Sequence, residues 1–227
     1  MKRILFAVVS IASAVLCAAE NNNLPASDKQ KGKPAAQKSF QIRLLKKLPA
    51  PDKQGGKPLM QVLTKRKTIR TFAKKPLSEQ DLSNILYAAW GINRPDGRRT
   101  VPTAINVQNL EVYVTSAEGT FLYEAERNVL IQVSKADLRE YSNFRKELGL
   151  AAPVSLIYCG KSGDRIKDGF THAHAGSAYQ NVYLYCASAG LASVICASCN
   201  QEKIAEALGL KDGWQVLYAQ VIGYPAE

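Results

Sequence analysis

From about His174 to Ala189 the chain carries Ala175, Ala178, Tyr179, Val182, Tyr183, Tyr185, Cys186 and Ala187, and no charged residue. The spacing predicts a helix, and Gly190 follows as the glycine that ends one in the left-handed conformation. A helix without a polar face has to be buried on every side. Few architectures allow that, so whatever this chain folds into is built around this segment.

The flanking sequence predicts what surrounds it. Ser78-Glu79-Gln80-Asp81 has the pattern of a capped helix start, and Leu82, Ile85, Leu86 and Ala89 recur at helical spacing up to Gly91. Pro95-Asp96-Gly97 is a turn. Leu110–Thr115 alternates and is β-branched, and Phe121–Tyr123 and Val129–Val133 read as two further strands. Val154–Cys159 is a continuous apolar strand after Pro153. A short strand at 193–197, a helix at 201–208 ended by Gly209, and a strand at 216–223 complete the order. Strands and helices without strict βαβ alternation predict an α+β fold, a central mixed or antiparallel sheet flanked by helices.

Residues 1–19 read as a secretory leader. Lys2 and Arg3 form its basic start, Ile4–Leu16 its apolar run, and small residues at 17 and 19 suit cleavage before Glu20. The apolar run is short for a membrane span. Acylation of Cys17 is the alternative fate of the leader, with Leu16 unusual before such a thiol. Either way an exported, periplasmic protein is expected. Residues 20–57 are rich in Lys, Asn, Gln and Pro and read as an arm or linker, which leaves 58–227 as the folded domain.

The formal net charge of +11 suggests a phosphate-bearing partner, and its distribution narrows which one. Residues 1–19 contribute +2, residues 20–60 contribute +6 from nine basic and three acidic residues, and residues 61–227 contribute +3 from 19 and 16. The domain is therefore nearly neutral. No tract interleaves aromatic with basic residues, so no nucleic-acid partner is expected. Lys65-Arg66-Lys67-Thr68-Ile69-Arg70 is its densest basic stretch. In extended backbone Arg66, Thr68 and Arg70 project to one side, a set that suits a phosphate monoester. Taken alone, the stretch reads better as a solvated charge run.

The wider sequence decides between these. Leu63–Phe72 resembles the phosphate motif of the nitroreductase-like flavoprotein family, an Arg-x-Ser-x-Arg-x-Phe type with Thr68 in the Ser place. Val101-Pro102-Thr103-Ala104-Ile105-Asn106-Val107-Gln108 is similar to the family's Pro-Ser-Ala-x-Asn-x-Gln segment. Gln180-Asn181, Gly190-Leu191 and Val221-Ile222-Gly223-Tyr224-Pro225 also match. The likeness runs from about Leu48 to Pro225, and Gly91–Thr100 looks most like the azoline-dehydrogenase branch.

The resemblance implies an interlocked homodimer with FMN at the subunit interface and a small-molecule substrate, a nitro compound or quinone, served in a ping-pong cycle through flavin N5. By the same likeness Arg66 and Thr68 would hold the FMN phosphate with help from Lys67, and Arg70 would lie near the flavin N1–C2=O edge. Pro102, Thr103, Ala104 and Asn106 would reach the ring from the partner, and Ile195, Cys196, Ala197 and Ser198 would bring backbone amides near N5. The apolar helix would be the dimer's central packing helix. A binding protein with the flavin fold but no turnover is the alternative.

Three departures qualify the likeness. The family's basic residue after Gly-Tyr-Pro is replaced by Ala226-Glu227, so phosphate affinity is weaker or another cation substitutes. The Lys-Tyr pair of azoline dehydrogenases has no counterpart, so azoline oxidation is not expected. In a periplasmic setting the electron donor is either NAD(P)H or another reductant.

Cys159 and Cys186 are expected as free core thiols. Cys196-Ala197-Ser198-Cys199 reads as two small residues in a tight loop or as a redox-active dithiol that exchanges electrons with the flavin. His172 and His174 read as partly exposed histidines at a helix start. With Cys196 and Cys199 they would supply four zinc ligands, but i, i+2 spacing is poor for this, so no metal site is expected.

Overall fold

The structure is a computed structural model that describes residues 45–163 and 165–227. The leader, Cys17 and residues 20–44 of the expected arm lie outside the described residues. The elements in chain order are β1 (Leu45–Lys47), α1 (Leu59–Lys65), α2 (Glu79–Trp90), β2 (Leu110–Ser116), β3 (Gly119–Glu124), β4 (Val129–Ser134), α3 (Lys146–Ala151), β5 (Val154–Lys161), α4 (Asp168–Ala189), β6 (Ala192–Cys196), α5 (Gln201–Leu208) and β7 (Trp214–Gly223).

The seven strands form one sheet in the order β1-β4-β3-β2-β5-β7-β6. Every neighbouring pair is antiparallel, so of the two expected sheet types the antiparallel one is present. Alternation along the strands sorts side chains between two layers. Val112, Val114, Leu156 and Tyr158 face α2 and α4, while Tyr113, Ile157 and Cys159 face α5. β5 is covered on both sides, which explains its unbroken apolar sequence.

The arm ends earlier than residue 57. Lys46 and its neighbours pair with Val129–Ile131 of β4, and Leu48 is buried in the main core. A three-residue edge strand inside a Lys- and Pro-rich stretch has too little alternation to stand out.

α2 follows its sequence signals. Ser78 Oγ accepts from the Asp81 amide at 3.0 Å, and Leu82, Ile85, Leu86, Ala89 and Trp90 form its buried stripe. α4 does not follow them. It begins at Asp168, and its buried residues are Thr171, His174, Ala175, Ala178, Val182, Tyr183 and Cys186. These form one stripe at spacings of three and four, with the remaining sides half-buried or exposed. Within one chain the apolar helix is therefore not covered all round. It lies close against β5 at Gly160, where an added Cβ would collide with Thr171.

Candidate functional site

Arg66 leaves α1 in an extended conformation, and the chain then runs beside β6 and the closing segment. The Ile69 amide donates to the Ser193 carbonyl at 3.1 Å, and the Ala73 amide to the Tyr224 carbonyl at 2.9 Å. Phe72 bridges Pro225. Ser193 is itself fixed from below: Gln220 Nε2 donates to its hydroxyl at 2.8 Å, and Tyr158 donates to Gln220 Oε1 at 2.6 Å. The basic stretch is thus anchored through its backbone, and its side chains are left free for other partners.

Two of those side chains, Arg66 and Thr68, gather at Tyr183. The Tyr183 hydroxyl accepts from the Ile195 amide at 2.9 Å and shares a hydrogen bond with Thr68 Oγ1 at 3.2 Å. The Arg66 guanidinium lies 5.5 Å from the centre of the Tyr183 ring, within the range of a cation–π contact. One residue of α4 therefore joins the start of the basic stretch to the start of the 195–198 segment. Among the described residues, Lys57, Lys65, Arg66, Lys67 and Arg70 all lack an acidic partner within salt-bridge distance, unlike Lys46, Arg98, Arg127, Arg139, Lys146 and Lys203. Arg66 and Thr68 are half-buried; Arg70 is exposed. A hollow of ≈ 400 Å³ opens beside them, lined by Lys57, Lys65 and Lys67 together with Tyr183 and Ser193. Lys67 and Ile69 face this hollow, opposite Arg66 and Thr68, as alternation requires.

The other expected residues form a separate group. Pro102 is exposed, and Thr103 and Ala104 are half-buried. Ala104–Asn106 is a 3₁₀ turn in which Ile105 (φ 48°) and Asn106 (φ 56°) are left-handed, followed by Gln108 (φ 47°). The Ala104 amide donates to His174 Nε2 at 2.8 Å. Among the described residues no hydrogen bond links this turn to the 66–70 or 195–198 segments. Nine positions separate His174 from Tyr183, about 14 Å along the axis and about half a turn around it. The two groups thus sit on opposite flanks of the buried stripe of α4.

Among the described residues Cys159, Cys186, Cys196 and Cys199 are free thiols. Burial pushes the Cys186 thiol up to about 12 and the Cys199 thiol up to about 11, and raises Cys159 well above the usual thiol range. These groups are protonated near neutral pH, the opposite of an activated thiolate. Cys196 Sγ contacts Ser198 Oγ at 3.4 Å. The histidines have other uses: His172 Nδ1 pairs with the Tyr218 hydroxyl at 2.9 Å, and His174 is buried, not partly exposed, because α4 starts six residues before it.

Sequence reasoning missed Tyr183 and His174 as site residues. Both were absorbed into the helix pattern, and their polar atoms meet partners 115 and 70 residues away. The signal available for Tyr183 was a hydroxyl on a helix flank facing a stretch of unpaired cations.

Comparison with known proteins identifies the family and the fold. The sequence profile of the nitroreductase family matches residues 63–224. A nitroreductase homologue from Methanocaldococcus jannaschii is 32% identical over 178 residues, 68% of this chain and 85% of that protein. Among solved structures, a nitroreductase homologue from Ralstonia eutropha superposes with a TM-score of 0.73 at 32% identity, covering 81% of this chain and 90% of that one. A Desulfovibrio desulfuricans protein solved in complex with FMN shares the fold, with a TM-score of 0.56 at 21% identity, over 75% of this chain and 88% of its own. Family profile, relatives and fold agree, and this chain belongs to the nitroreductase family.

Proposed function

We propose that the protein is an exported, homodimeric FMN-dependent oxidoreductase. It would take an electron pair from a reductant, NAD(P)H or a periplasmic donor, and pass it to a small organic acceptor of nitro or quinone type in a second half-reaction. The observation that carries this reading is the Tyr183 hydroxyl, which ties Thr68 to the Ile195 amide beside an Arg66 without an acidic partner. A guanidinium and a hydroxyl on one side of the stretch are donors that suit a phosphate monoester. The donor set therefore fits the cofactor.

When bound, FMN supplies the two-electron chemistry at its ring. The chain's own residues bind and orient it. Arg66 and Thr68 would hold the phosphate; Lys67, expected to help them, faces the hollow on the opposite side of the stretch together with Lys57 and Lys65. Arg70, exposed and without an acidic partner, would face the negative charge that a reduced ring carries at N1 and so favour reduction. Ile195–Ser198 would present backbone groups to the ring edge.

What one chain leaves uncovered supports the dimer. Its α4 is covered on one stripe, and Leu59, Met60 and Leu63 of α1, Ile105, Val107 and Phe170 are exposed apolar residues. A second copy against α4 would cover them. It would also bring its own 102–106 turn to the Tyr183 side of this chain, where a single chain has none.

Titrating FMN into the wild type and Arg66→Ala tests the phosphate assignment. Loss of one charge-assisted contact should weaken binding by about 1.5–3 kcal/mol, roughly 10- to 150-fold. Equal dissociation constants would refute the role of Arg66.

A further inference from the structure

We propose that His174 is a positioning residue. As a neutral imidazole it holds the Ala104 amide, and through it the strained 103–108 turn, and it releases the turn when it gains a proton. The consequence for flavin binding rests on the proposed placement of Pro102–Asn106 against the ring; the hold itself does not.

The tautomer follows from the partners. The Ala104 amide can only donate, so His174 Nε2, 2.8 Å away, has to accept. The ring proton is therefore on Nδ1, which donates to Asn109 Oδ1 at 2.8 Å. Asn109 cannot reverse its amide, because its Nδ2 donates to the Lys161 carbonyl at 2.7 Å and to Thr171 Oγ1 at 2.9 Å. Ser162 Oγ donates to the same Thr171 hydroxyl at 3.0 Å. Donation thus runs from the Ala104 amide through His174 and Asn109 to the Thr171 hydroxyl, where Ser162 donates from the other side.

The turn has reason to need holding. Ile105, Asn106 and Gln108 all take positive φ, a conformation that costs non-glycine residues and persists where surrounding contacts enforce it. Most of its other hydrogen bonds are local. Asn106 and Val107 amides return to Thr103 and Ala104 carbonyls, and Gln108 bonds to Thr103, Asn106, Gly97 and Arg99. Among the described residues the His174–Ala104 contact is the single hydrogen bond between this turn and α4.

A proton on Nε2 would set two donors against each other and break that contact. Burial holds His174 below the ordinary imidazole range, and the Ala104 amide, which only the neutral ring can accept, acts in the same direction. Among the described residues the charged and titratable groups of the surrounding elements have other partners or lie beside the turn. Lys161 presents its carbonyl to the network, Asp168 accepts from Gln215, Glu111 accepts from Tyr113, His172 pairs with Tyr218, and Arg165 lines a hollow with Val107 and Gln108. The sign follows. A released turn exposes an imidazole of higher pKa, so acid favours release, and the hold is complete above the ordinary imidazole value of about 6.5.

Hydrogen exchange at the Ala104 amide, measured from about pH 8 to pH 5 and normalised to the intrinsic rate, reads the hold directly. In the wild type, protection should fall with pH and approach about tenfold per unit once one proton is coupled. His174→Gln places a non-titrating acceptor at the same distance and should keep protection flat. His174→Phe offers no acceptor and should lose protection at every pH. A flat wild-type profile, or a His174→Gln profile that falls in parallel with it, overturns the proposal without relying on the Phe variant. The ratio of FMN affinities for wild type and His174→Gln, which cancels the titration of the FMN phosphate, should fall over the same range. If protection behaves as stated and this ratio stays constant, the hold stands and the placement of 102–106 at the flavin fails.

Discussion

α2 and α4 pack side by side on the same face of the sheet and meet opposite fates at their outer sides. α2 has a cap at Ser78, one buried stripe, and Glu79, Gln80 and Asp81 turned to solvent or to polar partners. One chain provides everything it needs. α4 has a buried stripe of similar kind, but its other sides carry Phe170, Ala173, Ser177, Gln180 and Leu184, with no charge beyond Asp168. A surface helix normally carries charge on the side away from the core. The difference between the two helices supports the proposed dimer, in which a second copy finishes α4, and the same helix carries the two anchors, Tyr183 and His174, on its two flanks.

The sharpest way to break this comparison is to place a charge on the outer side of each helix. Ala173 is exposed in the single chain. Ala173→Glu should leave folding of the single chain intact and prevent the association, because burying an unpaired carboxylate costs several kcal/mol. Sedimentation should show single chains at micromolar concentration. Gln80→Glu on α2 should leave both assembly and melting close to wild type, within about 0.5–1 kcal/mol for a surface change. Equal behaviour of the two variants would remove the distinction.

A smaller effect sharpens the other half. Ser78→Ala removes the hydroxyl that caps α2 and should lower unfolding free energy by about 1 kcal/mol. FMN affinity should not change, since among the described residues the hydrogen bonds between α2 and α4 go to Asn181 and Tyr185 and not to either anchor. A loss of affinity in step with the loss of stability would mean that the site is not confined to α4 and its flanking segments.

How much of this was legible depends on where each signal lies. α2 and α5 announce themselves by caps and stops, Ser78 and Asn200 before them and Gly209 after the second. α1 and α3 do not. The apolar Leu59, Met60 and Leu63 of α1 are exposed, and it buries Val62 alone, so it has no stripe that periodicity could detect. α3 is six residues long and buries one glycine.

At the site, alternation was enough to bring Arg66 and Thr68 to one side. Nothing local tells which hydroxyl of a distant helix they meet. His174 reads as an ordinary helix-start histidine until the helix is seen to begin at Asp168 and the Ala104 amide is seen to need an acceptor. Contacts of that range are fixed by topology, not by neighbouring residues.

The central claim is that FMN is held where two copies meet at α4. Sedimentation velocity of the flavin-loaded protein, recorded both at the protein band and at the flavin band near about 450 nm, tests it most directly. The account predicts one boundary of two chains that carries the flavin absorbance, and in Ala173→Glu a one-chain boundary with the flavin left behind. A single-chain wild type that retains FMN, or a dimer that never takes it up, would contradict it.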